Sequence, residues 1–235
     1  MIAIIGKNPV SETLCAAAEA AGQVCTVVES VADLPAECDL AILNSASDLN
    51  GRLAEIAQLE AKTAAPIAVR LRMEYACSYT KDMADKTRLV GIRTMEDEFI
   101  GQYVELTRSF DTSDETYEKV LNLLTSFNAH VATVPDVRGG IYYRIMPLTI
   151  NMGACLIAEG NSAEDVDKSM RFGANIKRPP LQTADELGLD VVLEVLTDIY
   201  NETGRPAYRP CPLLKQMVNA GRLGKKTGRG FFEYQ

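Results

Sequence analysis

Ile2-Ala3-Ile4-Ile5-Gly6-Lys7-Asn8-Pro9-Val10-Ser11 opens with a short apolar run, rich in β-branched isoleucine and stopped by glycine. That is the pattern of a buried first strand ending in a turn. Val10, Leu14, Ala17, Ala18 and Ala21 then share one helical face, predicting a helix over residues 10–21. Outward from this unit the same alternation continues. Strands are predicted at 23–28, 39–43, 66–71, 88–92, 103–108 and 131–134. A helix is predicted over 49–62, with Leu53, Ile56, Ala57 and Leu59 in its apolar stripe. Another begins at Ser113, an N-cap followed by Asp114 and Glu115, and runs to about Phe127. Strand and helix in alternation imply an α/β domain.

From Ile141 onward the strand patterns vanish. Helical stretches are expected at about 141–159, 163–172, 189–202 and 212–220, joined by turns such as Gly160-Asn161 and Gly204-Arg205-Pro206. The Arg138-Gly139-Gly140 segment is the natural boundary, giving an α/β domain over 1–137 and an all-helical one over 138–235. Several apolar positions of the helical half (Ile145, Leu148, Ile150, Leu156, Ile157, Val191, Val192, Val195, Leu196) exceed what so small a domain hides alone, so a partner chain is expected to cover some of them.

The chain has 235 residues, 47% hydrophobic and 24% charged, with a net charge of −8. That balance argues against a nucleic-acid-binding surface. No apolar run approaches the roughly 20 residues of a membrane-spanning helix. The start has no basic leader, so a cytoplasmic location is expected. The six cysteines show no CxxC pair and read as free thiols. One histidine and dispersed carboxylates give no metal constellation. The basic clusters at Lys177-Arg178 and between Arg222 and Arg229 read as a surface turn and a charged tail.

A strand, a glycine turn and a helix form the place where a dinucleotide-binding domain holds pyrophosphate on helix amides. Gly6 is the first glycine of a GxGxxG pattern, Asn8 stands at the second and Ser11 at the third. Asn tolerates positive φ and Ser is small, so the turn can form. Pro9 removes one amide donor. Glu29 ends the second strand where an acid would bind the ribose hydroxyls of NAD.

The C-terminal half carries more specific motifs: Ala163-Glu164-Asp165-Val166-Asp167, Pro180-Leu181, Gly188-Leu189-Asp190, Tyr208-Arg209-Pro210-Cys211-Pro212-Leu213-Leu214, and the ending Lys225-Lys226-Thr227-Gly228-Arg229-Gly230-Phe231-Phe232-Glu233-Tyr234. In that order and spacing they resemble the C-terminal domain of the 3-hydroxyacyl-CoA dehydrogenase family. The resemblance implies a Rossmann-like dinucleotide-binding domain followed by a helical dimerisation domain. It also implies NAD-dependent oxidation of a 3-hydroxyacyl-CoA. Only Ser30 to Cys38 separates the second and third strands here, so the family's helical excursion, which helps hold CoA, is missing and the first domain is shortened.

The resemblance also assigns catalytic positions. The segment similar to the family's Gly-x-His-Phe-Phe-Asn-Pro is Gly91-Ile92-Arg93-Thr94-Met95-Glu96-Asp97, which puts Arg93 at the histidine. Glu105, twelve residues on, keeps the orienting carboxylate. Tyr143 stands at the asparagine and Arg72 near the serine. A guanidinium stays protonated near neutrality and cannot act as a general base. Tyr143 could serve only if a cation such as Arg72 or Arg93 lowered its pKa, and His130 reads as structural. The expectation is a dehydrogenase-like protein of acyl-CoA and fatty acid metabolism with little or no turnover. It would act as a binding or partner subunit, as a homodimer or with a related dehydrogenase. The alternatives are an active NAD-dependent enzyme with an altered base, and an arginine-lined site for another anion.

Overall fold

The computed structural model describes residues 1–35, 37–94, 103–126 and 130–234. Met95, Glu96, Asp97, Phe127, Asn128 and Ala129 lie outside the described residues. The chain divides into two compact units, Met1–Gly140 and Ile141–Gln235.

In the first unit β1 (Ile2–Ile5) leads through the Gly6 turn into α1 (Pro9–Ala20), and β2 (Cys25–Val28) returns beside β1. The chain then crosses to the other side of β1 with β3 (Leu40–Leu43), α2 (Leu49–Lys62), β4 (Ile67–Arg70) and β5 (Leu89–Thr94). β6 (Tyr103–Arg108), α3 (Asp114–Thr125) and β7 (His130–Thr133) follow. The sheet order is β2-β1-β3-β4-β5-β6-β7, and among the described residues only β5 and β6 pair antiparallel. The order reverses beside β1, and in such open sheets ligands bind at the carboxyl ends of the strands there.

Residue alternation gives the sheet two apolar faces. Ile2, Ile4, Leu40 and Ile42 pack with Leu14 and Ala18 of α1 and with Tyr117, Val120 and Leu124 of α3. Ala3, Ile5, Ala41 and Leu43 pack with Ile56 and Leu59 of α2. Buried on both sides, the parallel strands read as continuous apolar runs. α2 and β6 have the predicted bounds, and Ser113 caps α3 by accepting the Thr116 N–H at 3.1 Å. One expectation fails. Cys15 of α1 and Cys25 of β2 are joined in a disulfide, because α1 packs on β2 and brings their Cα atoms to 5.5 Å.

The second unit is helical: α4 (Tyr142–Ala158), α5 (Ala163–Lys168), α6 (Pro180–Leu187), α7 (Leu189–Thr203) and α8 (Pro212–Asn219). The expected 163–172 helix is α5 continued by a π-helical turn, Ser169–Gly173. Helix α6 was not foreseen. No described helix is long and apolar enough to cross a membrane. Ile150, Val192, Val195 and Leu196 are buried within the chain, which corrects the expectation for those positions, whereas Ile141, Ile145 and Met152 of the α4 region are exposed.

The C-terminal motif wraps Asp185 of α6, which is fully buried. Its carboxylate accepts the Phe231 and Phe232 N–H groups at 2.9 Å and the Tyr234 hydroxyl at 3.0 Å. The basic residues of the tail are pinned outside it: Lys225 to Glu186 at 2.7 Å, Lys226 to Asp190 at 2.6 Å and Arg229 to Glu233 at 3.0 Å. Burial raises the Glu186 and Asp190 pKa values, but bonds from Lys225 and Arg178 on the one and Lys226 on the other leave both below the ordinary range. A depressed folded-state pKa stabilises above the unfolded value and is lost as pH falls through the folded one. We therefore expect acidification below about pH 4 to loosen the tail. The thermal midpoint of Lys226→Gln should fall less steeply over that range than that of the wild type. Equal slopes would contradict the assignment.

Candidate functional site

The carboxyl ends of β1, β3 and β4 open on a cleft of about 580 Å³. It is lined by Asn8, Pro9 and Val10, by Asn44 through Leu49, and by Arg52, Arg70, Arg72 and Glu74. Gly6 takes φ +102° and presses on β3: a Cβ there would lie 2.5 Å from the Asn44 carbonyl oxygen. The position therefore requires glycine.

Asn8 is extended rather than left-handed, and its side chain caps α1. Its Oδ1 accepts the Ser11 N–H at 3.1 Å and the Asn44 amide at 3.1 Å, and its Nδ2 donates to the Gly6 and Asn44 carbonyls at 3.2 and 3.0 Å. Ser11, fully buried, donates its hydroxyl to the Gly6 carbonyl at 2.5 Å. Asn44 in turn accepts from Arg70 Nη1 at 3.2 Å. Gly6, Asn8 and Ser11 thus meet in one network, as their spacing implied. That network fits a pyrophosphate poorly: Pro9 has no N–H, the Ser11 N–H is engaged by Asn8, and the Glu12 N–H bonds the Asn8 carbonyl. Glu29 follows Val28, whose carbonyl accepts the Gly6 N–H at 2.9 Å. It is exposed beside the turn and does not line the cleft.

Arg93 and Glu105 are direct cross-strand partners on β5 and β6, 2% and 1% exposed. Arg93 donates to three backbone carbonyls on two segments of the chain. Its Nε donates to the Arg72 carbonyl at 3.3 Å, and Nη2 to those of Glu74 and Val137 at 2.9 and 3.0 Å. Gly140, at φ +57°, lets the chain pass over both side chains; a Cβ there would overlap Glu105 Oε2 and stand 3.1 Å from Arg93 Cδ.

Tyr103, which the sequence reading passed over, donates its hydroxyl to Glu105 Oε1 at 3.2 Å. Burial, reinforced by the Glu105 charge and that bond, pushes its pKa up to about 12. It sits two residues before Glu105, on the same face of β6, and strand periodicity is the one sequence signal that could have found it. Arg72 is exposed in the cleft, and its own N–H is accepted by Glu74 at 2.8 Å. Tyr143 belongs to the second unit, near the start of α4, with its ring edge-on to Tyr142 at 5.5 Å. His130 is exposed at the start of β7. Among the described residues no group of three His, Cys, Asp or Glu could hold a metal ion.

Residues 139–234 match the family model described as 3-hydroxyacyl-CoA dehydrogenase, C-terminal domain. The chain is 36% identical over 149 residues to a probable 3-hydroxybutyryl-CoA dehydrogenase of Bacillus subtilis, a match covering 63% of this chain and 52% of that protein. It is also 36% identical over 149 residues to the 3-hydroxybutyryl-CoA dehydrogenase of Bradyrhizobium diazoefficiens, covering 63% and 51%. The matches thus span about half the length of these relatives. Among solved structures, the (S)-3-hydroxybutyryl-CoA dehydrogenase of Ralstonia eutropha superposes with a TM-score of 0.88 at 24% identity, covering 100% of this chain and 98% of that one. This second likeness is one of fold.

Proposed function

The chain belongs to the 3-hydroxyacyl-CoA dehydrogenase family, and from that premise we propose that it is a dehydrogenase-like protein of acyl-CoA metabolism with little or no hydride transfer of its own. It serves as a binding or partner subunit. One observation carries this reading: Arg93, which the resemblance puts at the family's histidine, is permanently charged, buried, and bonded to three backbone carbonyls. It can neither accept the hydroxyl proton nor leave its place without cost. Tyr103, whose hydroxyl donates to Glu105, has its pKa raised to about 12, the wrong direction for a base at neutral pH.

Gly6, Asn8, Ser11 and Glu29 stand where the resemblance puts the contacts of NAD, and they fit that cofactor poorly. The closed network around Asn8 opposes that binding, and a dissociation constant for NADH weaker than about 10 μM is expected by calorimetry. The exposed Ile145 and Met152 on α4 support a dimer, with a second copy or a related dehydrogenase as partner.

The test of function is to incubate the pure protein with NADH and acetoacetyl-CoA and follow the loss of NADH absorbance. Loss of a general base lowers rates by about 10²–10⁴-fold. The efficiency should therefore lie far below the roughly 10⁴ M⁻¹s⁻¹ end of ordinary enzymes. A value within about tenfold of that end returns the chain to the active NAD-dependent enzymes.

A further inference from the structure

The Cys15–Cys25 bond lies outside everything the proposed function uses. Cys15, in the middle of α1, is 7% exposed, whereas Cys25, the first residue of β2, is half-buried. Among the described residues β2 is an edge strand, with β1 as its one neighbour. Between the two cysteines the chain turns through Gly22, at φ +79°, where a Cβ would meet nothing within 4 Å. Val24, next to Cys25, is 66% exposed. A small molecule can therefore reach Cys25 from solvent, and Cys15 is shielded. Exchange of a disulfide with a thiol starts at the sulfur that can be reached.

The bond also joins elements that hold together without it. All four residues of β2 pair with β1. Leu14 and Ala18 of α1 pack in the same apolar cluster as Val27 of β2. The turn between them is tied by the Gln23 N–H, which donates to the Ala18 carbonyl at 3.0 Å. The cysteines are only 10 residues apart in sequence. Closing so short a loop removes little freedom from the unfolded chain, so the bond adds less than a long-range one would. The reduced chain keeps its packing, and the bond can open and close in the folded protein. Cys38, Cys77, Cys155 and Cys211 are free thiols, which leaves this pair as the one bonded pair among the described residues.

We propose that Cys15–Cys25 is a redox latch between α1 and the edge strand, exchanged by low-molecular-weight thiols of the glutathione class, with Cys25 as the sulfur attacked. A glutathione thiolate bonds to Cys25 Sγ. The protein S–S bond breaks, its electron pair leaves on Cys15 Sγ, and that sulfur takes a proton from water. A second glutathione thiolate then attacks the glutathione sulfur of the mixed disulfide, releasing oxidised glutathione and the Cys25 thiolate. Two glutathione thiols are oxidised as one protein disulfide is reduced, and oxidised glutathione drives the same steps backwards. The test equilibrates the full chain in glutathione buffers of graded oxidation, traps thiols with N-ethylmaleimide and maps the peptides by mass spectrometry. Cys15 and Cys25 should pass together between alkylated and bonded within hours, with a glutathione adduct on Cys25 and none on Cys15. The thermal midpoint of the oxidised chain should lie about 5 °C above that of the reduced chain. In Cys25→Ser the two conditions should give the same midpoint, and Cys15→Ala is the companion variant should that protein fail to fold. A pair that stays bonded in the folded chain under excess reduced glutathione is a fixed staple and overturns the proposal. So does a pair that stays alkylated after oxidised glutathione, an adduct on Cys15 alone, a midpoint that does not move, or a reduced chain that has lost the circular dichroism of the oxidised one.

Discussion

Asp185→Ala should destabilise the protein by about 3–5 kcal/mol, the largest loss expected from one substitution in the second unit. Three donors converge on this carboxylate: the Phe231 and Phe232 amides and the Tyr234 hydroxyl. Gly224 and Gly230 pass so close that a Cβ on either would overlap Asp185. Alanine leaves all three donors without an acceptor in a space shaped for a carboxylate. Burial and the Asp185 charge already raise the Tyr234 pKa, as expected of a phenol locked as a donor. Asp185→Asn keeps one acceptor oxygen and should lose less. Lys225→Gln removes a surface ion pair and an ammonium 5.7 Å from the Tyr234 ring centre, and should lose less than about 2 kcal/mol. Denaturant midpoints of the three variants rank them. An Asp185→Ala protein as stable as Lys225→Gln would show that the tail is not held by this clamp.

This clamp explains why the C-terminal motif could be read so easily: its glycines and aromatics answer one buried acid. The first strand and its turn were legible for a similar reason. Ile2 to Gly6 is apolar on both sides because the strand is buried on both sides, and Ser113 caps its own helix from three residues away. Helix α6 was not legible, because its cap is not local. Asp167, fourteen residues upstream, accepts the Leu181 N–H at 2.9 Å and the next residue along, Gln182, donates to it at 3.0 Å. Nothing next to Pro180 announces a helix start. The Cys15–Cys25 bond was hidden in the same way, since the contact comes from α1 lying on β2 and not from cysteine spacing.

The site was legible in type and incomplete in membership. Arg93 and Glu105 were paired by their distance from a motif, and strand register places them opposite each other. The sequence singles out only the apolar stripe of the 49–62 helix and not Arg52. It becomes part of a site because α2 packs on the sheet and turns that position toward the ends of β3 and β4. A charged residue in a helix gives no sequence signal of the face it occupies when the helix packs so closely.

Arg93→Met should cost about 3–5 kcal/mol, while Arg93→Met combined with Glu105→Gln should cost less than the two single changes added together. Arg93 and Glu105 are both buried and flank the same point beneath Gly140, where a Cβ would overlap the carboxylate and lie 3.1 Å from Arg93 Cδ. Removing the guanidinium takes the donor from the Arg72, Glu74 and Val137 carbonyls. It also leaves the Glu105 charge with the Tyr103 hydroxyl but without the cation opposite. Neutralising Glu105 in that background removes the stranded charge and should recover about 1–2 kcal/mol. On the proposed reading, Arg93→His puts histidine where the resemblance assigns the base; it should lose stability for the same reason and gain little turnover, because the resemblance puts Arg72 and Tyr143, not serine and asparagine, beside it. Denaturation of the four proteins of the cycle gives the coupling directly. Strict additivity would mean that Arg93 and Glu105 are independent, and that the two do not form a structural contact.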